Sequence, residues 1–356
     1  MTASVQDYFI RAGDQVPTID QVHEYLESTY KPDKAKKRPG TINGFLEQWL
    51  EKITKGDRLT PKGKRYEENT IKAVRTFRIR IEEYQTKKKK VLNWKQIDQS
   101  FYDSYTSYLA TTHDNNPASI GKYVKILKTF MKAAQDEGLH ENEAYKKFKV
   151  TKLESQATYL NKVDMKNLED FDLSGEPHLE RIRDLFLIGC YTAQRISDYK
   201  RISRDNLKIT NQGTETIELI QQKENVKVII PIKPELKDLL IKYNYKLPEG
   251  TEQHLNREIK IIAKRAGIDE PIQVTKFKNG VRYEITKPKY EFISSHTARR
   301  TAVTLMLSDG IPVHQIQKIT GHKKLETLLG YNRTTKEETA DTLAKHRYFT
   351  SSLKVV

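Results

Sequence analysis

The stretch SSHTARRTAVTLMLSDGIPVHQIQKITGH spans residues 294–322. Two apolar-periodic runs lie in it, and each stops at a glycine, Gly310 and Gly321. That pattern predicts two consecutive helices, because glycine tolerates the left-handed conformation in which helices commonly end. Ser294 or Ser295 can cap the first helix. His296 and Arg299 are three residues apart and share a face in its first turn. Free amides and the helix dipole attract an anion there. Arg300 lies close, and its expected role is packing at the surface or core edge. His322 falls on the turn beyond the second helix. The run GHKKLETLLGY (321–331) then delivers Tyr331. Taken singly these are weak signals: His-x-x-Arg arises often by chance, His322 reads as a turn residue, and Tyr331 as a packing residue.

A third element lies a hundred residues upstream. CYTAQRISDY (190–199) sets Arg195 in an apolar helical context. An unpaired guanidinium is costly to bury, so Arg195 needs a partner. Asp198, three residues on, is one candidate; a ligand phosphate is the other. Together, two arginines and two histidines can surround one phosphodiester while a tyrosine hydroxyl attacks it. Arginine forks suit bidentate phosphate contact and stabilise charge developing on the non-bridging oxygens. A tyrosine nucleophile gives a covalent phosphoprotein intermediate. The cations in such a site are side chains, so no metal or other cofactor is required. The nine histidines have no zinc-like spacing, and no acidic cluster suggests a two-metal nuclease.

Working outward, residues 160–356 read as a mostly helical domain. HLERIRDLFLIGCYTAQRISDYKRI predicts one or two helices. TIELIQQKENVKVIIPI alternates, is β-branched, and predicts a β-hairpin. KPELKDLLIKY and EQHLNREIKIIAKRAG predict further helices. Residues 41–150 read as all-helical. Ile42, Phe45, Trp49 and Ile53 share one spacing, as do Ile71, Val74, Phe77, Ile81 and Tyr84, and Ile120, Tyr123, Val124, Leu127, Phe130 and Met131. The run TKKKK (86–90) separates helices. A linker is placed at 151–159. Residues 1–40 hold one predicted helix, TIDQVHEYLESTY, and a basic linker, KPDKAKKRPG. They are expected to be an extension or the remnant of an arm-binding domain.

Two helices carry cationic stripes. Lys122, Lys125, Lys128 and Lys132 fall within about a 120° sector at ~100° per residue. Lys72, Arg75 and Arg78 repeat the scheme. Few acids are spaced to pair with them, so phosphate-backbone contact is expected rather than a solvated face. The whole chain carries a net charge of +16, which favours a polyanionic partner, nucleic acid before membrane surface. One cysteine, Cys190, excludes an internal disulfide and a Cys-rich zinc module. No apolar run reaches the ~20 residues that span a bilayer. Asp7, Arg11 and Asp14 interrupt any signal-peptide core. A soluble, cytoplasmic protein is expected, associated with the nucleoid when bound to DNA.

The set of Arg, then His-x-x-Arg, then Gly-His, then Tyr resembles the tyrosine recombinases, or phage integrases, from about residue 40 to 350. The match is strongest at TAQRISD, at HTARRTAVTLMLSDGIPVHQIQKITGH and at the nine-residue step to Tyr331. Its flavour is similar to mobile-element integrases of Bacteroidetes. The resemblance implies a mainly α fold: a helical SAM-like core-binding domain plus a mixed α/β, mostly helical catalytic domain with a small antiparallel sheet, together clamping double-stranded DNA. It assigns catalysis to Arg195, His296, Arg299, His322 and the nucleophile Tyr331. It also implies a general-acid lysine on the hairpin, Lys223, with Lys227 as fallback. Gln222 and Glu224 stand where the family has glycines beside that lysine. Ala193-Gln194 replace the usual Gly-Leu before the first arginine, with no functional consequence expected. The implied reaction is site-specific recombination through a 3′-phosphotyrosyl bond and a Holliday junction. It proceeds without metal or ATP, in a homotetramer on DNA that is a monomer when free, with possible DNA-bending accessory proteins. The residues after Tyr331 would pack partly against a neighbouring protomer. Three alternatives stand beside it: a type IB topoisomerase, a non-catalytic DNA-binding protein of the same fold, and, distantly, a membrane-surface protein.

Overall fold

The computed structural model describes residues 40–153, 158–332, 336–345 and 347–350, together with Val22 and Tyr25. The helix expected in TIDQVHEYLESTY and the linker KPDKAKKRPG lie outside these residues, apart from Val22, Tyr25 and Gly40. The chain divides into two compact units, Met1–Glu154 with Thr275–Glu284, and Ser155–Val274 with Ile285–Val356. It is mostly helical with small antiparallel sheets, as the sequence led us to expect.

The first unit is built on α1 (Ile42–Lys55), α2 (Glu68–Lys88), α3 (Gln99–Thr112) and α4 (Pro117–Asp136). Their apolar stripes meet in an aromatic core. Phe130 of α4 packs on Phe45 at 5.5 Å and Trp49 at 5.8 Å, both from α1, and on Phe77 of α2 at 6.3 Å. Tyr84 of α2 meets Phe101, Tyr105 and Tyr108 of α3 edge-on at 5.3–5.6 Å, a geometry that places ring edges against ring faces. Helix α3 went unread in the sequence. Its residues, QSFYDSYTSYLATT, are weak helix formers, and burial of its tyrosines decides its conformation. Asp98 caps it by accepting from the Phe101 amide at 2.8 Å.

The second unit begins with α5 (Lys162–Asp170) and turns on α6 (Pro177–Thr192). Leu179, Ile182, Leu185, Phe186, Leu187, Ile188 and Cys190 of α6 are all buried, so its apolar surface wraps round the helix as a central position requires. Gly189 lets two neighbours in. A Cβ there would lie 2.7 Å from the Tyr199 ring and 3.1 Å from Ala298 Cβ. Helix α6 ends at Ala193 in the left-handed region, φ 57°. The glycine usual in the family this chain resembles suits that conformation; alanine bears a strain of about 1–2 kcal/mol. The one-turn helix α7 (Ile196–Tyr199) follows, with Arg195 at its N-cap.

Strands β1 (Leu207–Ile209), β2 (Glu215–Ile220) and β3 (Lys227–Pro231) form an antiparallel sheet in that order. Ile220 pairs with Lys227, and residues 222–225 form the turn. The β2–β3 hairpin agrees with the sequence reading; β1 was too short to be legible. Helices α8 (Pro234–Lys242) and α9 (Glu252–Arg265) follow. A second hairpin, β4 (Pro271–Lys278) and β5 (Val281–Pro288), whose outer part Thr275–Glu284 belongs to the first unit, was also missed. Its signal was present: Asn279-Gly280, at φ 51° and 81°, is a two-residue turn dipeptide between alternating strands. The unit closes with α10 (Ser295–Ser308), α11 (Val313–Thr320), the short α12 (Leu325–Leu329), α13 (Lys336–Ala344) and α14 (Arg347–Thr350). Among the described residues no helix is long and apolar enough to cross a membrane.

Candidate active site

Helix α10 opens at Ser294, whose amide donates to Thr297 Oγ1 at 3.0 Å. The Ser295 amide is held by Asn256 Oδ1 at 2.6 Å, and its hydroxyl donates to Glu252. The first turn of α10 is thereby tied to α9, and His296 and Arg299 project from it. Helix α11 ends at Gly321, φ 69°, so the chain reverses and His322 returns toward α10. Its carbonyl accepts from Gln317 Nε2 at 2.8 Å, and its Nδ1 lies 2.8 Å from Thr320 Oγ1.

Four of the residues singled out in the sequence form one contiguous cluster. The Tyr331 hydroxyl lies 3.0 Å from His296 Nε2. The Tyr331 ring sits 4.9 Å from the His322 ring and 5.5 Å from that of His296. The Arg299 guanidinium lies over the Tyr331 ring at 5.7 Å and 3.0 Å from His322 Nε2, and it donates to the Thr320 carbonyl at 2.8 Å. Arg299 is fully buried, yet its Nε and Nη1 have no hydrogen-bond partner among the described residues.

Arg195 joins the cluster electrostatically. Burial, with the Arg195 charge adding to it, lowers Arg299 to about 10. Burial, then the charges of Arg300, Arg299 and Arg195, lowers His296 to about 4. Burial, then Arg299 and Arg195, lowers His322 to about 3. Both histidines are therefore neutral at physiological pH, and in the tautomer with its proton on Nδ1 His296 Nε2 accepts the hydrogen bond of the Tyr331 hydroxyl. Asp198 is not the partner of Arg195. It accepts instead from Arg201 at 3.3 Å and from the Gln222 amide at 2.8 Å. Arg195 Nη2 meets Glu224 at 3.5 Å, and its buried Nη1 has no partner among the described residues. The other Glu224 oxygen lies 3.7 Å from Lys323.

Lys223 is exposed in the β2–β3 turn, beside Glu224, and makes no hydrogen bond or ion pair among the described residues. Lys227 is on strand β3 and is paired with Glu218 at 2.7 Å. Tyr348, the tyrosine that follows Tyr331 in the chain, is 74% exposed and packs on Phe349. No group of three or more His, Cys, Asp or Glu side chains among the described residues could hold a metal ion.

The stripes of the first unit present a different picture. Lys72 pairs with Glu68 at 2.7 Å, Arg78 with Glu47 and Glu82 at 3.8 and 3.7 Å, and Lys132 with Asp136 at 3.0 Å. Lys128 donates to the carbonyls of Lys146 and Phe148, so it holds a loop in place. Acids are thus less scarce around the stripes than the spacing suggested. Arg75, Lys122 and Lys125 are exposed, and their side chains make no hydrogen bond or ion pair among the described residues.

The model of the phage integrase family matches residues 158–338, and that of the phage integrase SAM-like domain matches residues 44–150. Sequence comparison with curated proteins gives no match. Among solved structures, the chain resembles a lambda integrase dimer bound to a COC′ core site, with TM-score 0.60 and 14% identity over 81% of this chain and 97% of that one. It also resembles XerH site-specific recombinase bound to palindromic difH substrate, a post-cleavage complex, at 0.57 and 16% over 89% of both chains. A third is the Tn1549 transposon integrase with circular intermediate DNA, at 0.58 and 14% over 86% of this chain and 99% of that one. At these identities the likeness is one of fold.

Proposed function

The chain belongs to the phage integrase family, and on that premise we propose that it is a site-specific DNA recombinase that cuts and rejoins strands through Tyr331. The observation that carries this reading is the set of buried guanidinium donors without a protein acceptor, Arg195 Nη1 and Arg299 Nε and Nη1, beside a tyrosine hydroxyl held 3.0 Å from a neutral histidine. Buried donors left unmatched are costly, and a phosphodiester supplies two anionic oxygens that match their fork geometry.

In the proposed step the Tyr331 oxygen attacks the scissile phosphorus and its proton passes to His296 Nε2. Arg195 and Arg299 stabilise the charge gathering on the non-bridging oxygens. The bond from phosphorus to O5′ breaks as Lys223 gives O5′ a proton, leaving a 3′-phosphotyrosyl linkage. A 5′-hydroxyl of a partner strand reverses each event. One phosphodiester is exchanged for another, so no ATP is consumed. Lys223 is preferred to Lys227 as the acid because Glu218 engages Lys227. Strand exchange through a Holliday junction in a tetramer follows by analogy with the lambda integrase tetramer bound to a Holliday junction, which has the same fold.

The test is a nicked suicide substrate carrying a candidate site. Wild-type protein is expected to form a covalent protein–DNA adduct, and Tyr331→Phe to form none while still binding the DNA. Adduct at the wild-type level in Tyr331→Phe would overturn the assignment and turn attention to Tyr348.

A further inference from the structure

Two glutamines lie in the middle of this site and take no part in the chemistry just described. Gln194 stands directly before Arg195, and Gln221 stands two residues before Lys223. Both are fully buried. Gln221 Nε2 donates to Gln194 Oε1 at 2.6 Å and to the Thr320 carbonyl at 2.8 Å. Gln194 Nε2 donates to the carbonyls of Thr192 at 3.0 Å and Ile319 at 2.9 Å. The same Thr320 carbonyl accepts from Arg299. One amide clasp therefore joins the end of α6, the root of the β2–β3 turn and the end of α11. Leucine, the family's usual residue before the first arginine, makes none of these bonds.

The clasp is sterically exclusive. A Cβ on Gly321 would lie 2.4 Å from Gln221 Oε1, so the glycine before His322 is also the floor on which Gln221 rests. Past Gln221 the main chain has little freedom. Its amide donates to the Val226 carbonyl at 2.9 Å, and its carbonyl accepts from Asn225 at 3.0 Å, closing the four-residue turn. The Gln222 amide is pinned by Asp198 at 2.8 Å. Lys223 is the next residue.

We infer that Gln221, locked by Gln194, is a positioning residue for Lys223: it fixes the turn against the His322 loop and so sets the reach of the Lys223 ammonium to the leaving O5′. This rests on the reading of Lys223 as the general acid. In cleavage the bond from Tyr331 oxygen to phosphorus forms, the bond from phosphorus to O5′ breaks, and the Lys223 proton goes to O5′. A 5′-bridging sulfur leaves as a thiolate. Thiols have pKa values of about 8.5, so that leaving group needs no proton. A defect that acts through Lys223 is rescued by sulfur, whereas a defect in the nucleophile, the arginines or the fold is not.

The experiment measures adduct formation on paired suicide substrates with 5′-oxygen or 5′-sulfur at the scissile position. Gln221→Met, similar in shape and without the amide, is expected to slow the oxygen substrate by about tenfold or more, within the range a general acid supplies, and to leave the sulfur substrate near the wild-type rate. Lys223→Ala calibrates the rescue. Equal slowing of Gln221→Met on both substrates, or slowing on neither, beside a Lys223→Ala variant that sulfur rescues, would overturn the positioning role alone. Lys223→Ala slowed equally on both would overturn the acid assignment and the positioning claim with it. Should Gln221→Met fail to fold, Gln194→Met leaves Gln221 its bond to Thr320 and is read on the same two substrates.

Discussion

The chain holds cations in two settings, and they differ in how their charge is matched. In the first unit, Lys72 and Lys132 sit at the surface against carboxylates 2.7 and 3.0 Å away. In the second, Arg299 is fully buried, is opposed by two neutral histidines, and has donors with no acceptor. A surface ion pair contributes little and asks for no outside partner. A buried guanidinium without a carboxylate keeps an unmet demand for an anion. Counting lysines and arginines does not separate the two cases; burial and the neighbouring acids do.

The comparison breaks most sharply at Arg299. Arg299→Met is expected to cut the rate of adduct formation by about 10²–10³-fold, while the melting temperature without DNA holds or rises. The Thr320 carbonyl keeps its bond from Gln221 in this variant. A melting temperature that falls along with activity would mean that the buried charge is structural and the contrast false.

The histidines sharpen it next. His296 and His322 are lowered in the folded state to about 4 and 3, against about 6.5 in an unfolded chain. Between those values and pH 6.5 the unfolded state binds more protons, so stability falls as pH drops through that window. Thermal melts from pH 7 to pH 4 are expected to decline steadily in the wild type and less steeply in His296→Gln/His322→Asn. Parallel curves would place the titration elsewhere. DNA phosphate would raise both values by adding negative charge beside them.

The smallest effect belongs to the stripes. Lys122→Gln/Lys125→Gln is expected to lower the slope of log affinity against log salt by about two, near one per lost phosphate contact. Lys72→Gln and Lys132→Gln, whose charges are already matched, are expected to leave the slope unchanged. Equal slopes in all three variants would erase the distinction between free and paired cations.

Much of this was legible in the sequence for local reasons. The glycine stops of α10 and α11, the spacing of His296 and Arg299, and the alternation of the β2–β3 hairpin are short-range patterns. So was Asn279-Gly280, which went unread. Helix α3 was not legible, because its tyrosines are poor helix formers until Tyr84 and its neighbours bury them. Nor was the partner of Arg195. Asp198 is near in sequence but serves Arg201 and the Gln222 amide, and the side chain that reaches Arg195 comes from a turn twenty-nine residues away. Gln194 looked like a neutral replacement, and Gln221 carried no signal of its own. Their pairing required three separated segments to meet.

The segment carrying Tyr331 is anchored apart from the main core. Leu328 packs with Val303 and Ile316 in a cluster of three buried side chains, and Thr304 Oγ1 donates to the Tyr331 carbonyl at 3.2 Å. Tyr331 itself is held by His296, His322 and Arg299, so the segment is fastened to α10 and to the turn after α11. On the proposed function Tyr331 is the tooth of the site: removing its hydroxyl would leave the arginines and histidines standing, so gripping a strand and cutting it would be separable.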